Sequence, residues 1–340
     1  MNLHFSKPFP DELAVTHLYR NWALNDTKGS ASHIRSTLFA KATRSQRPTH
    51  CSHPWTTLYL PQIMAYLSSM TPQAYRANHT TLALTGNWRH IYSEKPVKQS
   101  KVNVYKVDQF CHKSSASAFP FRLCPQCRDA DLSSHAMTYW HREHHIAGVD
   151  ICLKHRIALQ GFEWRDAHAA PNPATLCGEV SHHSLIQANF HPILTRYREI
   201  ALAALRAPVQ VQYARAHDQL LERATDMGLC RRELHHTGTH SYLEHAIPQY
   251  LYTHLPRVWM EENFNSAFLD MTFIPSDTSK DEYHAELNHL DRSDSSKPIF
   301  LFLALAALFE SSDQICKILF DRTILTLPPS NCADKGLELL

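Results

Sequence analysis

Cys124-Pro125-Gln126-Cys127 is answered further along the chain by Cys152-Leu153-Lys154-His155. No other feature narrows the possible folds as much. C-x-x-C and C-x-x-H together offer three thiolates and an imidazole, a donor set suited to one tetrahedral Zn2+ ion. Each pair has the spacing at which a single tight turn aims both side chains at one point. Four protein ligands close the coordination shell and leave no position for a reactive water, so the expected ion is a structural staple. The plain alternative is four unrelated residues, three of them packed free thiols, but two short-spaced pairs rarely coincide by chance.

Two rival metal patterns overlap this one. His141 and His145 follow Cys127 at a spacing that resembles a two-Cys, two-His finger. Such a finger needs an aromatic residue soon after its second cysteine, where Asp129 and Asp131 stand here, and it leaves Cys152 and His155 unused. His141-Arg142-Glu143 has the H-x-E form of zinc deaminases, yet there the H-x-E precedes the cysteines and here it follows them. A zinc hydrolase or deaminase is therefore the most distant alternative. The sequence has no H-E-x-x-H and no G-x-S-x-G. With only 8 glycines, a phosphate-binding loop has little to be built from. No catalytic residue is expected.

Nine cysteines is an odd count, unlike a disulfide framework, and the paired spacing fits metal in a reducing compartment. The remaining cysteines, among them Cys230 and Cys316, read as small buried hydrophobes. Asn2 to Pro10 lacks the apolar segment of a secretory signal. The longest apolar run, Ile299 to Phe309, is well short of the roughly 20 residues a membrane span needs and reads as a buried helix. A cytoplasmic protein with no membrane partner is the expectation. Formal charge is only +2, so no overall basic character announces nucleic acid.

Scarce glycine and 19 prolines favour helices with proline-marked ends. Pro10-Asp11-Glu12 opens a helix whose apolar face is Val15, Leu18, Tyr19 and Trp22. Further helices are expected around Ile34 to Phe39 and Leu60 to Leu67, and another after Thr71-Pro72, a cap followed by Pro at the first position. Beyond a loop-like stretch from Asp166 to Asn189, stripes appear at Ile193, Tyr197, Ile200, Ala204 and at Tyr213, Ala216, Leu220, Ala224, Met227, with Gly228 closing the second in a left-handed conformation. Tyr242 to His254 reads as one helix with a kink or break at Pro248. Two more helices, Pro298 to Phe309 and Asp313 to Phe320, close the chain. The fold class is mainly α, with helical regions flanking a small zinc-ribbon module. The expected divisions are 1–107, 108–165 for the ribbon, 166–275, and 276–340 for a linker and C-terminal helices.

Ala224 to Leu229 has the turn grammar of a helix-turn-helix: a small residue, three more, a glycine, an apolar residue. Arg231, Arg232, His235 and His236 then fall where a recognition helix would begin. An ordinary helix end with solvated arginines fits equally well. Leu303 to Phe320 has a similar shape. Lys41, Arg44 and Arg47 form another basic stretch, and His141, Arg142 and His145 another. All of these are candidate contacts to nucleic acid or an acidic partner, set against the plainer reading of a solvated face.

The stretch from Phe121 through Cys124-Pro125-Gln126-Cys127, Tyr139-Trp140-His141-Arg142, His145, Cys152 and His155 to Leu159 resembles the TniQ/TnsD family of transposon target selectors. Pro8, Pro10, Asp11-Glu12-Leu13 and Arg20 look like that family's opening helix. Asn78-His79-Thr80-Thr81-Leu82 resembles a segment upstream of its ribbon, and Asp226-Met227-Gly228-Leu229 and the last two helices look like TnsD-type elements. The resemblance implies a protein that does no strand chemistry. It implies instead one that locates a target and recruits the AAA+ regulator TnsC. One branch is an adaptor docked on CRISPR Cascade, where guide RNA reads the target DNA and the adaptor sits as a homodimer. The other reads an attachment site directly through zinc and helix-turn-helix modules. This chain is shorter than typical direct readers and lacks the second C-x-x-C of some Cascade-bound members. Near-neutral charge tilts the expectation toward the adaptor, because a stand-alone DNA reader needs several Lys or Arg contacts to phosphates.

Overall fold

In the computed structural model the described residues are 6–24, 68–81, 84, 121–162, 172–176, 191–207, 211–234, 240–243, 247–263 and 298–320. They are mainly helical. In chain order the elements are α1 (Ala14–Leu24), α2 (Pro72–His79), β1 (Phe121–Leu123), α3 (Pro125–His135), β2 (Gln160–Phe162), α4 (Pro192–Arg206), α5 (Tyr213–Asp226), β3 (Arg231–Leu234), β4 (His240–Leu243), α6 (Ile247–His254), α7 (Arg257–Asn263), α8 (Pro298–Leu308) and α9 (Ser312–Phe320). Two antiparallel pairs, β1–β2 and β3–β4, are the sheets among the described residues. The helices expected around Ile34 and Leu60, and the basic stretch Lys41, Arg44, Arg47, lie outside these residues. None of the described helices is long and apolar enough to cross a membrane.

The main core belongs to the C-terminal helices. α8 is apolar all round, and its residues from Ile299 to Ala306 are buried on every side. It packs against α4 and α5, and α9 covers the same two helices. The expected stripes hold: Ile193, Tyr197, Ile200 and Ala204 of α4 and Tyr213, Ala216, Leu220 and Ala224 of α5 are all buried. Met227 lies past the end of α5 and is half exposed. The last carbonyls of α8 would be orphans in this core. Arg196 of α4 donates to Ala306 O at 2.7 Å and Arg223 of α5 to Leu308 O at 3.1 Å, placing cations at the negative helix end.

Several boundaries are set by local chemistry legible in the sequence. Thr71 caps α2, its side chain accepting from Ala74 N–H at 3.2 Å, with Pro72 at the first helical position. Past the end of α5 Gly228 takes φ +73°, and Leu229 N–H donates back to Ala224 O at 2.8 Å. Two expectations need correcting. The chain leaving Gly228 does not start a recognition helix: Arg231 and Arg232 lie on β3, paired with Leu243 and Tyr242 of β4. Cys230 offers no side-chain cap of the Ser, Thr or Asp kind, and the sheet ladder supplies the backbone partners instead. The single helix expected from Tyr242 to His254 is likewise a strand followed by α6. Pro248 is the second residue of α6, where its missing N–H costs nothing, so no kink arises.

The loop 146–150, just ahead of Cys152, is the seat for the C-terminal helices. Tyr197 of α4 donates its hydroxyl to Ala147 O at 2.6 Å, and Trp259 of α7 donates Nε1–H to Gly148 O at 3.1 Å. Arg198 pairs with Asp150 at 2.6 Å, largely out of water. Gly148 has φ +73°, and a Cβ there would lie 2.6 Å from Trp259 Cζ2. Gly228 shares the backbone conformation, but its surroundings are open within 4 Å. Gly148→Ala is therefore expected to cost about 3 kcal/mol or more, strain plus overpacking, against about 1 kcal/mol for Gly228→Ala, where only strain acts. Urea unfolding followed by tryptophan fluorescence checks the pair.

Candidate metal centre

Cys124 is the N-cap of α3, with Pro125 at the first helical position. Its sulfur accepts from Cys127 N–H at 3.5 Å, so the helix start both aims and stabilises a thiolate. The second pair sits on a turn, closed by Arg156 N–H to Cys152 O at 2.7 Å and Cys152 N–H to Ile157 O at 2.8 Å. Arg156 takes the left-handed φ of +57° that the turn requires. β1 and β2 then clamp the turns face to face, with Phe121 opposite Phe162 and Leu123 opposite Gln160. α3 ends at Ala136, also left-handed. Trp140 fills the space beneath, its ring 4.7 Å from Phe121 and edge-on to Phe162 at 5.2 Å.

The ligand atoms of Cys124, Cys127, Cys152 and His155 all lie within 4.8 Å of one another. The Sγ atoms of Cys127 and Cys152 are 3.8 Å apart. His155 Nδ1 stands 3.3, 3.4 and 3.7 Å from Cys124, Cys127 and Cys152. A tetrahedron with metal–sulfur bonds of about 2.3 Å and metal–nitrogen bonds of about 2.05 Å has edges of about 3.8 Å between sulfurs and about 3.6 Å between sulfur and nitrogen. The donor set fits one metal ion. Hydrogen bonds from the other two thiols, that of Cys127 foremost, with backbone N–H donors behind them, hold the Cys124 thiol down at about 3, while Cys127 is pushed up. Cysteine binds metal as the thiolate, so loading the site releases the thiol protons.

The rival ligands are committed elsewhere. His141 Nε2 bonds Asp131 at 2.8 Å, and Asp131 also accepts from Thr138 at 2.8 Å. Burial pulls the His141 imidazole down, but the hydrogen bond it donates to Asp131 and the nearby Asp11 and Glu143 more than offset it, so its pKa is raised. His145 donates Nδ1–H to His141 O at 2.8 Å and accepts from Arg122 N–H at 3.2 Å, the pattern of a neutral ring. Neither histidine joins the cluster, and the two-Cys, two-His and H-x-E arrangements do not form.

These residues also correct the expectation of a phosphate contact. His145 is buried and His141 nearly so, and Arg142 is 4% exposed. Arg142 and the backbone of His141 serve a polar seam that joins α1 and α2 to the ribbon, while His145 braces it from within. Arg142 Nε bonds Asp11 at 2.8 Å, its backbone N–H donates to Asp11 O at 2.8 Å, and its guanidinium reaches Ala77 O and Thr80 O at the end of α2. Glu12 bridges to His141 through the backbone, and Leu13 N–H donates to Trp140 O at 2.9 Å. Arg20 forks onto both oxygens of buried Glu12, at 2.9 and 2.7 Å, and lies 4.2 Å over the Phe9 ring. Sequence reading took the face of α1 from its apolar stripe and missed this seam. The signal was present: Leu13, Thr16, His17, Arg20 and Asn21 recur at i, i+3, i+4, i+7 and i+8, and all are buried. Of the other candidate contacts, Arg231 and Arg232 lie on β3, and Lys41, Arg44, Arg47, His235 and His236 lie outside the described residues.

The seam makes stability sensitive to mild acid. His17 accepts from Tyr75 OH at 2.8 Å and donates Nε2–H to Ser6 O at 2.8 Å; His79 donates Nδ1–H to Glu12 O at 2.8 Å. Burial, first of all, lowers both to about 4, and lowers His145 to about 3. The unfolded chain takes up these protons near pH 6.5 and the folded chain does not, so stability is full above that pH and falls between about 6.5 and 4. The loss is about 2 kcal/mol per histidine at pH 5. Denaturant melts at pH 7.5 and 5.0 check this. His79→Asn, which keeps a donor for Glu12 O but cannot ionise, should remove one share of the drop.

No curated protein matches the sequence. The family model for TniQ matches residues 3–159, a span that opens before α1, takes in the polar seam and closes four residues beyond His155. Residues 3–159 are thus a TniQ domain, and a domain of this family implies a target-selection role associated with transposition.

Proposed function

We propose that the chain is a target-site adaptor in DNA transposition, linking a target-recognition complex, CRISPR Cascade with its guide RNA, to the AAA+ regulator TnsC. The TniQ domain over residues 3–159 carries this reading. The four metal-site residues support a non-catalytic role: a Zn2+ ion held by Cys124, Cys127, Cys152 and His155 has four protein ligands and keeps no position for a substrate or an activated water. The ribbon and the helices joined to it by the seam form a stiff docking body. The C-terminal helices supply the second surface, toward target DNA, a second protomer or TnsC.

A direct attachment-site reader differs from an adaptor in one physical respect. It must gain its own affinity from phosphate contacts, which a net charge of +2 does not favour. The purified chain alone is expected to bind random duplex DNA no better than roughly 10⁻⁶ M at physiological salt, and to co-purify with Cascade and TnsC when the three are co-expressed. Tight sequence-selective binding by the isolated chain, with affinity falling steeply as salt rises, would replace the adaptor reading with the direct reader.

A further inference from the structure

His144 lies at the heart of the ribbon yet has no place among the four ligands. It is 1% exposed, and among the described residues neither ring nitrogen has a hydrogen-bond partner. A buried imidazole with unused nitrogens is costly unless something offsets it. The ring is not loose. It stands on the tight 3-10 turn Arg142–His145, its backbone N–H donates to His141 O at 3.1 Å, and its plane leans on the His141 ring at 5.0 Å. The group it faces is the Cys152 thiol, without a well-aligned bond between them.

The charge of the loaded centre supplies the missing partner. Three thiolates, a neutral imidazole and a divalent ion sum to one net negative charge, held away from water. Buried sulfur anions of this kind need donors. Cys124 has the Cys127 N–H. The amide of Cys152 is spent on Ile157 O. We propose that His144 is the outer-sphere partner of the metal centre, donating an N–H···S hydrogen bond to the Cys152 thiolate once that thiolate is a ligand. The bond disperses sulfur charge, strengthens metal retention and satisfies the imidazole in one step. It also gives the seam a direct line to the metal, since Asp131, His141 and His144 are successive neighbours. The inference rests on the metal reading above, and its test separates the two.

The full-length chain, reconstituted with zinc and separately with Co2+, is compared with His144→Phe, His144→Asn and His144→Gln. Phe keeps the bulk and loses the donor; Asn and Gln place an amide N–H near the positions of Nδ1 and Nε2. Wild type should bind one equivalent of either metal. His144→Phe should bind zinc about tenfold more weakly in competition with a chromophoric chelator. Its sulfur-to-cobalt charge-transfer band should move to lower energy, and one of the two amide variants should restore both readouts. Wild-type affinity and an unshifted band in His144→Phe would overturn the proposal. So would a loss that neither amide repairs, which would mean the ring only fills space. Should His144→Phe fail to fold, wild type loaded with cadmium-113 decides: a scalar coupling between the metal and the His144 ring proton supports the bond, and its absence overturns it. A wild-type chain that takes up no metal at all would instead refute the metal centre itself.

Discussion

Cys152→Ser is expected to purify without stoichiometric zinc and with the segment 121–162 unfolded. Within itself the ribbon has little else to hold it. Its regular structure is α3 and a three-residue pair of strands, and its apolar centre is a small group around Phe121, Trp140 and Phe162. Modules of this size draw most of their folding free energy from the ion, about 10–16 kcal/mol in zinc-finger peptides. Losing one of four ligands forfeits at least roughly 3 kcal/mol of that and opens the shell to water. The damage should also spread. Loop 146–150 seats Tyr197 and Trp259, so melting the ribbon should alter Trp259 fluorescence well outside the metal site. Cys316→Ser is the contrasting case. Cys316 is buried in α9, and burial pushes its thiol up to about 11, the behaviour of a small hydrophobe. That change should cost only about 1–2 kcal/mol and leave zinc content untouched. Metal analysis, proteolysis and fluorescence on both variants check the contrast.

Arg142→Leu is expected to destabilise the chain by about 3–5 kcal/mol, far more than loss of an exposed pair. The substitution leaves the Asp11 carboxylate without its cation and strips two carbonyls, Ala77 O and Thr80 O, of their donor at the end of α2. Arg257 and Glu261, both largely exposed, form a pair of the same chemistry at 2.7 Å, and removing it should cost less than about 1 kcal/mol. Urea denaturation measures both. A cycle with Asp11→Leu sharpens the test: the double variant should be less damaged than the two single losses summed, because Asp11 and Arg142 desolvate one another. Zinc should remain bound, since no ligand is touched. The two predictions thus separate the staple from the seam.

How much was legible in the sequence depended on the range of the causes. Cys124, Cys127, Cys152 and His155 were readable because ligand spacing is a local constraint, and the structure adds the β1–β2 clamp that brings the two turns together. α4, α5, α8 and α9 were readable because their core faces are apolar at helical spacing. The β3–β4 pair was not readable. Its first strand is Arg231-Arg232-Glu233-Leu234, a polar run without alternation, and the decision for a strand comes from a partner some ten residues away. The polar seam was invisible for a different reason. His17, Arg20, Arg142 and His145 look like surface until their partners are known, and each partner lies on another segment: Tyr75, Glu12, Asp11 and Arg122. Burial of such groups is set by mutual satisfaction, which no single stretch of sequence displays.

One metal ion, held as a staple in the TniQ domain, is expected to carry the fold of the ribbon. Native mass spectrometry of the purified full-length chain, before and after exhaustive chelation, with thermal unfolding of each sample, tests this most directly. One zinc per chain, and loss of the cooperative transition of the ribbon on its removal, is the result predicted. A chain that arrives metal-free and unfolds at the same temperature with or without added zinc would contradict it.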